Sequence, residues 1–257
     1  MKRILTFLLC IALAVSMLGL VSCTDALGGG NENGDTMEKL AGKTPEQLYA
    51  ASQQKLKEAE SFYVSATQDI VMTMGEGASM TIHQLVESKV NGDNSYMKTK
   101  NDLSSEFNIE AWYVDGVVYA NTFGQKVKAS LSKEKFMQDY MGADPSESTL
   151  LDIPESWFEN VKFEKADEGW VLNFVVSGEK YTQVYENSGL TGATIIGNVD
   201  HKIYFDNDGN LQKFVASFDI NVDGVNAHCD SVSLITIADV EIAPPADADT
   251  YKTVNIG

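Results

Sequence analysis

The sequence predicts an α+β domain built from long antiparallel strands with a few helices set among them. Three observations carry this reading. In "SFYVSATQDIVMTM" the even positions Phe62, Val64, Ala66, Ile70, Met72 and Met74 are apolar, while Tyr63, Ser65, Thr67, Asp69 and Thr73 point the other way. That period of two belongs to a strand with one dry face. Turn signals then punctuate similar runs, at "GEGAS", "NGDN", Asp115-Gly116, "DNDG" and Asp223-Gly224, as hairpins require. Helical patterns are brief and do not alternate with strands, which excludes a βαβ series.

The elements follow in order. "TPEQLYAASQQKLKEAES" offers Thr44 as N-cap, Pro45 at the first helical position and Glu46 in the first turn, a favourable helix start. Leu48, Ala51 or Ser52, Leu56 and Ala59 form its stripe. After the first strand, Met80, Ile82, Val86 and Val90 continue the apolar pattern in the second. A helical break is expected at "LSKEKFMQDYMG", with short helical pieces through "SESTLLDIPESWFEN". "VKFEKADEGWVLNFVV" reads as a hairpin and "EKYTQVYENSG" as a short helix that Gly189 ends. Three long strands then run to about Glu241. In the last, the apolar parity shifts from Val225, Ala227 and Cys229 to Val232 and Leu234, which predicts a bulge near Ser231, as curled sheets often need.

The first residues, "MKRILTFLLCIALAVSMLGLVSC", place Lys2 and Arg3 before the uncharged run Ile4 to Val21. Such a run is long enough to remain as a membrane helix. Its ending, Leu20-Val21-Ser22-Cys23, resembles the lipobox of bacterial lipoproteins. In that family the cysteine thiol receives diacylglycerol and becomes the first residue of the mature chain. The resemblance implies a signal peptide over 1–22, a lipid on Cys23 and a cell-membrane location on the extracytoplasmic face. Residues 23–43, rich in Gly, Asn and Asp, read as a flexible tether, and 44–257 as one domain.

The chain has 19 Lys+Arg against 37 Asp+Glu, a formal charge of −18, and losing Lys2 and Arg3 takes this to −20. A chain so acidic does not neutralise phosphates, so nucleic acid is not a partner. No polybasic stretch binds an anionic leaflet, which leaves the Cys23 lipid as the attachment. With Cys10 removed and Cys23 acylated, Cys229 has no partner for an intramolecular disulfide. Stability must come from an apolar core, for which 44% hydrophobic residues suffice.

Catalytic and metal-binding motifs occur only as fragments. "DINVDGVNAHCD", Asp219 to Asp230, places oxygens at positions 1, 3, 5 and 12 with Gly at 6, the spacing of an EF-hand loop. Yet Ile220 and Val222 alternate with the acids as in a strand, and the flanks are strands, so a hairpin is expected. Ser-x-x-Lys occurs at Ser52, Ser130 and Ser177 without the elements that complete a penicillin-interacting site. His83, His201 and His228 are all expected on strand surfaces. No cofactor motif is found, and no enzyme is expected.

"WYVDGVVYANTFGQKVK" raises the main question. A two-residue turn at Asp115-Gly116 puts Trp112, Val114, Val117 and Tyr119 on one face and Ile109, Ala111, Tyr113, Val118 and Ala120 on the other. Both faces are apolar, so each needs a cover: helices on one, and a flap, partner or membrane on the other. This stretch, together with "YFDNDGNLQKFVASFDINVDG", resembles a group of Gram-positive lipoproteins similar in layout to the LolA and LppX/LprG carriers. The resemblance implies a curved antiparallel sheet, an unclosed half-barrel wrapped over a few helices, and a cavity for acyl chains. Candidate lining residues are Phe62, Val64, Ile70, Met72, Met74, Met80 and Ile82, with Phe214, Phe218 and Ile220 across the sheet. The expectation is a lipid-anchored lipoprotein that binds a lipid or other apolar ligand. The alternative is an envelope adaptor with a solid core that docks onto another protein through Trp112, Val114, Val117 and Tyr119.

Overall fold

Each sequence-predicted strand in the computed structural model finds a neighbour in a single sheet. The structure describes residues 40, 42–73, 78–105, 108–136, 153–187 and 192–255, without the side chains of 184–187. The segment 1–22, Cys23, residues 24–39 of the expected tether, Met74, the turn expected at 75–77, the helical pieces expected within 137–152 and Gly189 lie outside the described residues.

Helix α1 spans Pro45–Lys57 and starts where the capping residues predict. Thr44 Oγ1 accepts from the Gln47 amide at 3.3 Å, and Gln47 Oε1 accepts from the Thr44 amide at 3.0 Å, a reciprocal box that satisfies two otherwise orphaned donors. Leu48, Tyr49, Ser52 and Leu56 are buried; Ser52, rather than Ala51, turns inward and donates to Leu48 O. The packed chain reaches back to Leu40, which is buried and bridges Lys43 within the stretch expected as tether.

Strands β1 (Ser61–Thr73), β2 (Ser79–Asn91), β3 (Asn94–Asn101), β4 (Ile109–Val114), β5 (Val117–Thr122) and β6 (Gln125–Ser130) form one meander. Short helix α2 (Lys133–Phe136) follows, and a 3-10 turn occupies Glu155–Trp157. A second meander comprises β7 (Glu159–Ala166), β8 (Gly169–Ser177), β9 (Ala193–Phe205), β10 (Leu211–Val222) and β11 (Val225–Thr236), with α3 (Gly178–Asn187) between β8 and β9. β1 joins them by pairing antiparallel with β11, and β12 (Lys252–Thr253) lies parallel to β6. The order β12-β6-β5-β4-β3-β2-β1-β11-β10-β9-β8-β7 leaves β12 and β7 as unjoined edges. The fold is therefore α+β, a curved, unclosed half-barrel with few helices.

Two expectations about the last strands need correction. Strand β11 ends at Thr236, not near Glu241. It also runs without a bulge: its register against β1 and β10 is continuous through Ser231. Ala227, Cys229, Ser231 and Ile235 keep one inward parity, and Leu234 is simply exposed (53%) on the other face. Irregularities fall instead in the β9–β10 ladder, where the register slips between Ser217 and Asp219 beside Gly197 and between Leu211 and Lys213, and in the β7–β8 ladder between Glu159 and Lys162. Gly197 has φ +73, a conformation glycine adopts without strain.

Candidate functional site

Register brings the candidate lining residues together. Ile70 pairs with Ile82 on one side and Cys229 on the other, and Cys229 with Phe218. One step along the strands, Met72 pairs with Met80 and Ala227, and Ala227 with Ile220. Val64, Ile70, Met72, Ile82, Phe214, Phe218 and Ile220 are buried in one cluster, with Phe62 and Met80 packed against it. They form a wall across β2, β1, β11 and β10. In this state it is closed, for Ile70, Ile82 and Ile220 expose no surface. Cys229 sits within the wall, where burial pushes its thiol up to about 12, which keeps it a neutral, unreactive side chain.

The helices α1 and α3 meet the same cluster over the second meander. Tyr49 makes edge contacts with Phe158 and Phe174, and its hydroxyl accepts from the Ile153 amide at 3.1 Å. Phe158 stacks on Phe174 with ring centroids 3.8 Å apart. From α3, Tyr181 reaches His201 on β9, hydroxyl to Nε2, at 2.7 Å.

His201 overturns the expectation of a surface histidine. It is 1% exposed, stacked against Phe174 and close to Phe214. Its position was legible, because it shares parity with Val199, Ile203 and Phe205, all inward. Burial pushes its pKa down to about 3, so it is a neutral imidazole. His201 also belongs to a row that the apolar pattern conceals: Gln84, Gln68, Ser231, Ala216 and His201 are consecutive partners across β2, β1, β11, β10 and β9. All five are buried.

His83 and His228 stand on the outer face as expected. His83 Nδ1 lies 2.6 Å from Asp69, and His228 Nδ1 lies 2.8 Å from Asp219, with Asp230 3.4 Å from its Nε2. The neighbouring carboxylates raise both pKa values. Ser217 Oγ, also 3.4 Å from His228 Nε2, completes an order of groups that resembles a nucleophile, base and orienting acid. These side chains sit in the open, His228 45% and Asp219 60% exposed, and Asp230 competes for the same nitrogen; this is a solvated polar network rather than a pocket that orients an acyl group. Residues 219–230 form the β10–β11 hairpin, with Asp223 and Gly224 at φ 50 and 84 in its turn.

The Trp112 hairpin pairs as its turn predicts: Val114 with Val117, Tyr113 with Val118, Trp112 with Tyr119. Ala111, Tyr113, Val118 and Ala120 are buried in a small second core with Leu131 and Phe136, the latter stacked on Tyr113. On the other face Val114 is buried, Val117 half-buried, and Trp112 and Tyr119 meet the ring of Tyr251 at centroid distances of 6.5 and 5.7 Å. Tyr251 comes from the C-terminal segment, which returns across the outer face after β11. Val240 N donates to Ser61 Oγ, Lys126 pairs with Asp247, Lys128 Nζ donates to Ala248 O, and Val254 N donates to Lys128 O. The flap that the two-faced hairpin demands is thus supplied by the chain itself.

These features define a class: an open antiparallel half-barrel with an apolar inner wall and a self-covered outer hairpin. Residues 44–192 match the model described as "Family of unknown function (DUF6612)", and the chain belongs to that family. No curated protein matches the sequence. Among solved structures, the chain is similar to LprF from Mycobacterium bovis, at 14% identity and TM-score 0.42 over 79% of this chain and 98% of that one. It is also similar to a putative outer membrane lipoprotein-sorting protein domain from Vibrio parahaemolyticus (14% identity, TM-score 0.28, 75% and 93% covered). A LolA superfamily protein from Nitrosomonas europaea is a further likeness (12% identity, TM-score 0.27, 75% and 94% covered). At such identities and scores the likeness does not extend to a ligand or a partner.

Proposed function

We propose that the protein is a membrane-anchored extracytoplasmic lipoprotein, held by diacylglycerol on Cys23, whose half-barrel binds or carries a hydrophobic ligand such as a lipid or acyl chain. In this reading it is a carrier and not an enzyme. The observation that supports it is the inner wall. Four adjacent strands present Ile82, Ile70, Cys229 and Phe218 in one row and Met80, Met72, Ala227 and Ile220 in the next. Methionines suit a wall that must reshape around a chain, and a sheet with two unjoined edges can widen without breaking a closed ring of ladders. The alternative of an envelope adaptor docking through Trp112, Val114, Val117 and Tyr119 requires Tyr251 to be displaced first.

The test uses the chain from residue 23 with Cys23→Ser, which keeps every described residue, purified from its own host. Native mass spectrometry should reveal a copurifying lipid, and the delipidated protein should take up a neutral naphthylamine fluorophore. Met72→Trp, which adds bulk to the wall, should abolish uptake; overfilling costs ~1–3 kcal/mol in a packed core and less where the wall yields to a ligand. No lipid and no uptake would sink the carrier reading and leave the adaptor. For the anchor, inhibiting the lipoprotein signal peptidase should leave the precursor uncut, and wild-type protein found unacylated would refute acylation at Cys23.

A further inference from the structure

The row of polar side chains across the inner wall leaves three buried polar atoms unsatisfied. Gln68 is 2% exposed and Gln84 4% exposed, and they face one another on β1 and β2. Gln68 Oε1 and Gln84 Nε2 are both fully buried without a hydrogen-bond partner. His201 Nδ1, further along the row, is likewise buried and unpartnered, while its Nε2 is held by Tyr181. Buried polar groups are ordinarily satisfied, and an orphan loses its water with nothing in return. The rows that flank this belt are Ile82, Ile70, Cys229 and Phe218 on one side and Val86, Ala66, Ser233, Phe214 and Ile203 on the other, apolar apart from Ser233.

The belt is also uncharged. Among the described residues the buried polar side chains are Ser52, Gln68, Gln84, Ser95, Thr99, His201 and Ser231, with no Lys, Arg, Asp or Glu among them. A carboxylate or phosphate brought there would be a buried charge without a counter-ion, which is costly. A neutral group that both donates and accepts would satisfy the Gln68 carbonyl and the Gln84 amide together.

We infer that Gln68 and Gln84 form the polar subsite of the wall, and that the ligand is an uncharged amphiphile whose head offers both a donor and an acceptor, an amide or a hydroxyl on an acyl chain. The inference rests on the carrier reading and narrows its ligand class. The acyl chain lies along the apolar rows and the head meets the belt, where each glutamine gains the partner it lacks. A fatty-acid anion or a phospholipid headgroup is selected against.

The test is displacement of the naphthylamine fluorophore at pH 8 by dodecanamide, monododecanoylglycerol, dodecanoate and methyl dodecanoate. The two neutral donor–acceptor heads should displace it at concentrations about tenfold or more below the anion and the ester, as expected for a site that leaves its polar groups unpaired with the wrong head. The relative rank of amide and glycerol separates the two head chemistries. In Gln68→Leu/Gln84→Leu the fluorophore should still be taken up, but the preference should shrink to about twofold or less, since the variant keeps the apolar wall and loses the polar partners. A second readout guards against a misfolded double variant: in the wild type, the side-chain amide resonances of Gln68 and Gln84 should shift with dodecanamide and not with methyl dodecanoate. Uptake without preference, or a preference that survives the double variant, overturns this inference and leaves the carrier reading standing. No uptake at all overturns both.

Discussion

The two meanders of the sheet solve the problem of burial differently. The second, β7 to β11, is covered on its inner face by α1 and α3, and its outer face is left open, with His228 paired to Asp219 and Asp230 and with Ile196 and Leu234 exposed. The first, at β4 and β5, is apolar on both faces. One face rests on Leu131 and Phe136, and the other lies under Tyr251. Helices cover a wide face in one block. A hairpin at the far end of a half-barrel is beyond their reach, so a long C-terminal segment crosses the outside of the sheet to cover it. The comparison teaches that an apolar second face in a sequence points first to a segment of the same chain and only then to a partner.

The largest effect should come from the large core. Phe174 is fully buried between Phe158, Tyr49 and His201, so truncation removes contacts to α1, the Phe158 segment and β9 together. Phe174→Ala should cost ~3–5 kcal/mol and lower the denaturation midpoint of both meanders alike. If tryptophan emission reported the first meander unchanged while the second unfolded, the sheet would be two cooperative units rather than one.

The next effect separates inner from outer histidines by sign. For His201 the ordinary pKa of 6.5 falls to about 3 because burial disfavours the cation. The unfolded chain therefore binds a proton first as the solution is acidified. Stability should be complete above pH 6.5 and fall toward about 3 by up to ~1.4 kcal/mol per pH unit. His201→Phe should flatten that slope. His83 and His228 act in the opposite sense: their raised pKa values, caused first by hydrogen bonds to Asp69 and Asp219, favour the fold at low pH and lose that contribution as pH rises through them. An acid limb unchanged in His201→Phe would show that other groups carry it.

How much of this could be read in advance follows from which signals are local. The hairpin at Asp115-Gly116 and the helix at Thr44 depend on neighbouring residues only, and both were legible. Met72, Ile70 and Ile82 share a face because parity places them there. Parity is also what places His201 and Gln68 inside, but polarity argued the other way, and the tertiary demand of the strand overrode it. The same polarity misled at β11, where outward Val232 and Leu234 suggested a bulge although the inward series passes through Ser231. The C-terminal cover left no periodic trace, since "EIAPPADADTYKTV" has neither period 2 nor 3.6; its one signal was its single aromatic residue, Tyr251.

A smaller effect should follow from lifting that cover. Tyr251 is buried, contacts Trp112 and Tyr119, and lies under the Lys126 ammonium at 5.7 Å. Each aromatic pair contributes ~0.5–1.5 kcal/mol beyond area, so Tyr251→Ala should cost ~2 kcal/mol. The loss should be local: faster amide exchange at Val254, which donates to Lys128 O, and a red shift of tryptophan emission as Trp112 meets water. If Tyr251→Ala unfolds the domain as Phe174→Ala does, the contrast between the two meanders fails.

The smallest expected effect is that of calcium on the β10–β11 hairpin, and the geometry explains why. A calcium ion gathers six to eight oxygens at 2.3–2.6 Å, which a coiled loop achieves by folding its ligands inward. Here Asp219, Asn221 and Asp223 follow one another along or just beyond an extended strand, with β10 continuing to Val222. At about 3.4 Å per residue, Asp219 and Asp223 stand roughly 14 Å apart, too far to share one ion. Their oxygens are also engaged: Asp219 faces His228, and Asn221 Oδ1 accepts from the Gly224 amide at 3.1 Å. Because a ligand stabilises only as its concentration exceeds its dissociation constant, millimolar calcium should leave the melting temperature unchanged within error. A calcium-dependent rise that disappears in Asp219→Ala would show that the hairpin refolds into a loop around the ion, and would make the outer face of the second meander a binding surface after all.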